Sequence, residues 1–372
     1  MISVDWNTIL QWLLGEGLPY LILLIVLLAG LFVFVFITSL FPTMRQIIAF
    51  AYINSLIAVL GRKPIDRAFL EELYESRDIV SAVQSLRNAG INIELSEDPA
   101  KLEMHLINDF IEKLRLVEKH IPKLIEPFFK AYKRLIVFEE LIKIIRSVSA
   151  GIRPDLTVIQ ALDPQIASLI SNASSYESLR SALTTVGISL PEDPIEGERE
   201  IFLKAIRDLE ESSRLVDESI AAPVREFMLH YKDYYNVLII LRGITLELSS
   251  EYIESLTLGE GMYLNKWTLH KLSEATSINE VIAELQGTPY EEELKGLVIS
   301  REKVDLSLIE ASLSRALIKI MSILEHKYSL SAGPLLRFLT SLDFGLRNIR
   351  LAIYGIVERL PKDRLLKMAV YG

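Results

Sequence analysis

The residues of this chain that could do chemistry are few and poorly spaced for it. Its five histidines, His105, His120, His230, His270 and His326, are scattered. None forms HExxH or another pair four apart, the spacing that sets two imidazoles on one helix face around a metal. His120 follows Glu118 and Lys119 and reads as a solvated residue on a polar face. Carboxylates adjoin in Glu71-Glu72, Glu139-Glu140 and Glu291-Glu292-Glu293. Neighbours on a helix point about 100° apart, so sequential carboxylates make a poor acid–base dyad, and these runs read as solvated faces. The absence of cysteine excludes a disulfide framework, thiol catalysis and thiolate metal sites. There is no GxxxxGK[ST] loop and no GxGxxG after a strand, so no direct nucleotide binding is expected. The net charge of −9 argues against a nucleic-acid partner, whose phosphates call for cations. No catalytic residue, cofactor or metal site is expected, and the chain does not read as an enzyme.

What does recur is a polar residue on a long helix. Asn54, Asn236 and Asn348 each precede a glycine by seven positions, at Gly61, Gly243 and Gly355; a fourth copy carries Glu140 and Ser147 instead. Positions i and i+7 lie on one stripe two turns apart. On a structural reading the glycine is a C-cap or close-packing point and the asparagine bonds to a neighbouring helix. On a functional reading Asn54, Glu140, Asn236 and Asn348 line a shared axial wall that receives a partner.

The elements carrying these residues repeat as well. Leu272, Ser277, Ile278 and Leu285 match Leu73, Asp78, Ile79 and Leu86 at an offset of 199, and Ile170, Ser175, Tyr176 and Leu183 at 102. Each copy puts Asp or Ser where an N-cap belongs, followed by apolar residues on one face. Two copies end alike, Gly90-Ile91 through Glu97-Asp98-Pro99 and Gly187-Ile188 through Glu192-Asp193-Pro194. Several matches in one order argue for three related units. Short helix pairs are expected at about 67–89, 164–186 and 266–286, with long amphipathic runs at about 101–149, interrupted at Pro122 and Pro127, and 198–250, punctuated by Pro223. Two return helices are expected at about 304–328 and 334–355. Strand alternation is scarce, so the fold class is all-α.

From Leu18 to Phe41 runs a stretch of 24 residues without a charge. As a helix it measures about 36 Å, against a hydrocarbon core of about 30 Å. Pro19 and Pro42 bracket it, with Trp6, Trp12 and Tyr20 toward its start. It is too long for a cleaved signal peptide, has no basic residue before it and no small-residue cleavage pattern after it. A retained single-pass anchor is expected. Asp5 and Glu16 precede it and Arg45, Arg62 and Lys63 follow, which puts the N-terminus outside and the body in the cytoplasm. The expected organisation is an N-terminal segment at 1–42 with its span at 18–41, and helical lobes at 43–127, 128–222 and 223–303. Return helices at 304–372 complete the three-lobed body.

In Phe50-Ala51-Tyr52-Ile53-Asn54, Asn236 to Gly243, Gly261-Met262-Tyr263-Leu264 leading to Leu285 and Thr288-Pro289-Tyr290, and Leu346-Arg347-Asn348-Ile349-Arg350, the chain resembles the C subunit of archaeal rotary ATPases. That family is the counterpart of the d subunit in eukaryotic vacuolar ATPases. The similarity covers about Arg45 to Gly372. It implies a non-catalytic connector of three helical lobes forming a funnel, seated on the proteolipid ring of K subunits and receiving the central shaft made by the D and F subunits. Torque would then pass between ATP chemistry in the A and B subunits and proton or sodium movement at the membrane. The span departs from the family pattern, in which the protein is peripheral. On a rotating ring an anchor in static lipid would wind against its own tether, so the central lumen of the ring is its expected place. The competing expectation is a membrane-tethered helical scaffold unrelated to rotation; a hydrolase using buried carboxylates comes third.

Overall fold

The protein is described from a computed structural model over residues 17–60, 65–295 and 305–372, together with Asn7, Gln11 and Gly15. Trp6, Trp12, Gly61 and the expected helix start at Val304 lie outside the described residues. All regular elements among the described residues are helices. They divide into two units, Met1–Ile48 and Ala49–Gly372.

Helix α1, Gly17–Leu60, holds residues 17–48 of the first unit and ends within the second. Between Leu18 and Phe41 its large apolar side chains are exposed on every side. The only hydroxyls of Ser or Thr there bond to the helix itself: Thr38 donates to the carbonyls of Phe34 and Val35, and Ser39 to that of Phe36. Such back-bonding satisfies the hydroxyl within its own helix, so the surface is apolar without a polar stripe.

The second unit is built from repeated pieces. Helices α2 (Arg67–Tyr74) and α3 (Ile79–Asn88) form the first short pair. Helices α4 (Pro99–His120), α5 (Glu126–Ser149) and α6 (Thr157–Leu162) follow. The second pair is α7 (Pro164–Ile170) and α8 (Tyr176–Thr184), leading to α9 (Pro194–Ser213), α10 (Ala221–Thr245) and α11 (Ser250–Leu256). The third pair is α12 (Lys266–Ser273) and α13 (Ile278–Glu284), and then come α14 (Pro289–Lys295), α15 (Leu306–Lys327), α16 (Gly333–Val357) and α17 (Lys362–Met368). The run expected at 101–149 with interruptions at Pro122 and Pro127 is two helices: the chain turns at residues 121–125, and Pro127 lies in the first turn of the second, where its missing N–H costs nothing.

The cap residues act as their types require. Asp78 and Ser175 each sit extended and close a capping box with the serine three residues on, and Ser277 accepts from the Glu280 N–H. The first two pairs end in the same Schellman turn: Gly90 and Gly187 have φ of 83° and 76°, and the next isoleucine N–H reaches back to Leu86 and Leu183 at 3.1 Å.

The repeated asparagines are clamps. Asn236 has no accessible surface; its amide donates to the Gly259 carbonyl at 2.9 Å and its oxygen accepts from the Leu258 N–H at 2.7 Å, 22 residues away. Asn348, equally buried, does the same to Val370 at 2.6 and 2.9 Å, again 22 residues away. The glycines are the close-packing points: a Cβ on Gly243 would lie 2.6 Å from Ile253, and one on Gly355 2.5 Å from Leu365, each ten positions on. Between glycine and contact, Glu247 and Arg359 turn the chain at φ of 55° and 53°. Helices α10 with α11 and α16 with α17 are thus two copies of one folded piece.

The last residues are bolted down. Arg315 donates to the carbonyls of Lys367 and Ala369 at 3.1 and 3.0 Å and pairs with Glu293 at 2.8 Å. Arg337 donates to the Gly372 carbonyl at 3.0 Å, and the Gly372 N–H reaches Ile65 at 3.3 Å. A second core joins α2 and α3 to the end of α16 and to α17 through Leu70, Leu86, Ala352 and Leu365. Glu293 is therefore no solvated carboxylate, as its acidic run suggested, but a nearly buried ion-pair partner of Arg315 and Lys319.

Gly243→Ala and Gly355→Ala should each lower stability by about 1–3 kcal/mol, the range for overpacking a tight contact. Denaturant melts of the detergent-solubilised protein check this, and an unchanged midpoint for both would show that the contacts yield without cost.

Candidate partner-binding cleft

Helices α5 and α10 lie side by side and run the same way: Phe128 meets Phe227 edge-on at 5.6 Å near their starts, and farther along Tyr235 donates to Glu139 at 3.3 Å. Helix α15 ties α10 to α16, because Glu310 holds Arg242 with one oxygen and Arg347 with the other, both at 2.7 Å. Between these helices opens a cleft of about 390 Å3, with Phe202 of α9 on its wall. Its polar groups come from α5 (Tyr132, Glu139), α10 (Tyr231, Tyr235) and α16 (Thr340, Asp343), and its apolar wall includes Leu135, Ile142 and Leu238.

The charges around this space are unequally matched. Every basic side chain on the wall already has an acid: Lys143 pairs with Glu140 at 2.6 Å, Arg146 with Glu198 at 2.7 Å, Arg242 and Arg347 with Glu310, and Arg350 with Glu103. Glu139 and Asp343 have no such partner among the described residues. Removal from bulk water, together with the Asp343 charge, pushes Glu139 up to about 8, although its side chain keeps some access through the cleft mouth. Asp343, whose side chain stays exposed on the wall, is raised as well, by its partial removal from water and by the Glu140 charge, and is opposed by Lys143, Arg347 and Arg350 acting from beyond ion-pair distance. Burial also pushes the phenols of Tyr132, Tyr231 and Tyr235 well upward, so they present neutral hydroxyls. Tyr231 and Tyr235 bond to each other at 3.3 Å, whereas Tyr132, 5 % exposed, has no hydrogen-bond partner among the described residues.

The four residues expected on a partner-facing wall do not come together here. Asn236 and Asn348 are buried within their clamps. Asn54, half-buried, donates to the carbonyls of Ser329 and Ser331 at 3.3 and 3.0 Å, and its oxygen is enclosed without a partner. Glu140 keeps some accessible surface beside Lys143. The side chains on the cleft are instead Glu139, Tyr235 and Arg347, each one residue before a repeated position. One step along a helix turns a side chain by about 100°, which separates the clamping face from the open one. The reading of Glu139 as solvated is corrected: adjacency to Glu140 says nothing about which of the two faces inward. The sequence signal was the repeat itself, shifted by one.

The histidines stay apart. His230 is buried with its Nδ1 unpartnered, and burial lowers it to about 4. His270 is exposed, bonded to Glu254 at 2.9 Å and raised by that bond. His120, expected in solvent, is half-buried with its ring 4.8 Å from that of Tyr52. No cluster of three potential metal ligands occurs among the described residues.

Residues 53–368 match the family model described as ATP synthase (C/AC39) subunit. The chain is 23% identical to the A-type ATP synthase C subunit of Pyrococcus horikoshii over 335 residues, covering 86% of this chain and 89% of that one. It is 21% identical to the A-type ATP synthase C subunit of Methanocaldococcus jannaschii over 357 residues, covering 86% of each. For the protein of the same name from Thermococcus gammatolerans the figures are 23% over 345 residues, 86% and 90%. The family match begins at Ile53, beyond the apolar stretch Leu18–Phe41.

A carboxyl group whose folded value is raised stabilises the fold while protonated, fully below its unfolded value of about 4.3, and that stability is lost as pH rises toward the folded value of about 8. His230, lowered on folding, works the other way: its contribution is present above about 6.5 and is lost as pH falls toward about 4. The comparison of Glu139→Gln with wild type cancels the histidine. The variant should gain thermal stability over wild type at about pH 8 and lose that gain at about pH 5; an advantage independent of pH would contradict the raised value.

Proposed function

Because the chain belongs to the ATP synthase (C/AC39) subunit family, we propose that it is the non-catalytic central-stalk subunit of an A-type rotary ATPase, linking the proteolipid ring of K subunits to the D and F shaft. In that role it transmits torque between ATP turnover in the A and B subunits and transport of protons or sodium ions. The observation that carries this reading is the family match across nearly the whole of the second unit. The cleft supports it, because equivalent faces of related helices around one concave space suit an axial partner. The three-lobed division at 43–127, 128–222 and 223–303 belongs to this proposal. Of the four wall candidates, Asn54 and Glu140 retain accessible surface and are the ones available to a partner directly.

The apolar part of α1 extends this reading to membrane lipid, with the N-terminus outside and the body in the cytoplasm. Its length, its all-round apolar exposure and the first bases at Arg45 and beyond support a single span. On a turning ring, the lumen is the place where that helix can rotate with the body.

Mild-detergent purification through an N-terminal tag, followed by mass spectrometry, tests the assignment. The tag belongs at that end because Gly372 is held by Arg337 and Ile65. Recovery of K, D, F, A and B subunits is expected. Clean recovery of this chain alone, from membranes whose ATPase remains intact, would favour the scaffold instead. Photo-cross-linkers at Leu24 and Val33 should reach lumen-facing residues of the ring; cross-links confined to its outer neighbours would exclude the luminal position.

A further inference from the structure

We propose that the cleft between α5, α10 and α16 takes a basic side chain, lysine above all, presented by a polypeptide partner and seated among Glu139, Asp343 and Tyr132. The proposal deepens the reading above and rests on it for the partner's being a shaft. Three observations carry it. First, Glu139 and Asp343 are the carboxylates on the wall without an ion-pair partner among the described residues, whereas the surrounding bases are all engaged. Neither carboxyl group is matched within the described chain, so an arriving cation is the partner that would complete both. Second, Tyr132 is only 5 % exposed, faces the same space and bonds to nothing described. The ring is buried while the hydroxyl opens to the cleft, so an arriving group can take the place of water as its partner.

Third, the size and lining fit a side chain. The cleft opens to solvent, and its space of about 390 Å3 admits a side chain. The partner's backbone would cover the mouth while a side chain enters. An ammonium has three donors and no acceptor, which matches two carboxylates and one hydroxyl oxygen. The aliphatic stem of a lysine would lie along Leu135, Ile142 and Leu238. Seating the cation would also draw both carboxyl groups back to their ionised forms, because an opposite charge at close range favours ionisation.

The chain has no cysteine, so Ile142→Cys gives one thiol at the cleft wall, away from the charged groups. The purified complex is labelled there with benzophenone maleimide, irradiated and digested for mass spectrometry. The expected result is a cross-link to a segment of another polypeptide with a lysine or arginine within a few residues. In the Glu139→Gln/Asp343→Asn background the cross-link yield should fall about tenfold, because both carboxylates that would hold the cation are gone. A thermal melt of that double variant identifies any loss of fold, and the cross-linked sequence from Ile142→Cys alone decides the case if the double variant is unstable. A cross-linked segment without a basic residue, no polypeptide cross-link from an intact complex, or a yield unmoved in a well-folded double variant would each overturn the proposal. A basic segment from a polypeptide outside the ATPase would keep the cleft assignment and remove the functional one.

Discussion

The second unit depends on two buried amides. Asn236 and Asn348 can be enclosed only because donor and acceptor are both met by backbone about 22 residues farther on. Without those bonds each site would leave unpaired polar groups in the core, on the side chain and on the returning backbone alike. The clamp fixes where the chain comes back after α11 and after α17, and the glycine two turns away fixes how close it can lie. Asp233 reinforces the first copy: buried completely, it accepts from the N–H groups of Met262, Tyr263 and Leu264.

The open cleft is the other side of the same arrangement. A helix that commits one polar stripe to an internal clamp must present neighbouring residues elsewhere: on α10 and α16 those are Tyr235 and Arg347, and on α5, where Glu140 pairs with Lys143 in place of a clamp, Glu139 takes the matching position. Ion pairs around the rim satisfy the cations within the chain, which leaves Glu139 and Asp343 as the carboxyl groups on the wall without a charged partner among the described residues. The site is therefore defined as much by which charges are already matched as by which residues are present.

Local chemistry was legible in the sequence. Asp78, Ser175 and Ser277 cap helices because short side-chain oxygens reach nearby N–H groups, and that signal lies within four residues. The uncharged run in α1 was equally plain. Short helices such as α6, α11 and α14 were not, since six or seven residues carry too few periods to show an apolar face and are held mainly by what they pack on. The cleft was out of reach for a different reason. Asn236 and Tyr235 are adjacent, and only contacts more than twenty residues away decide which of them turns inward. Glu139 beside Glu140 posed the same choice, and sequence adjacency could not resolve it.

The way the tail is held has a consequence for how the body comes apart. Gly372 bonds to Ile65, Tyr371 lies under the guanidinium groups of Arg67 and Arg315, and Lys362 pairs with Glu75, so the last helix closes on the first pair. The order of contacts is circular. A linear stack of repeats can fray from a terminal unit inward, losing a few contacts at a time. In a closed series every element has a neighbour on each side, so none can leave the body without breaking two interfaces, where the end unit of a linear stack breaks one.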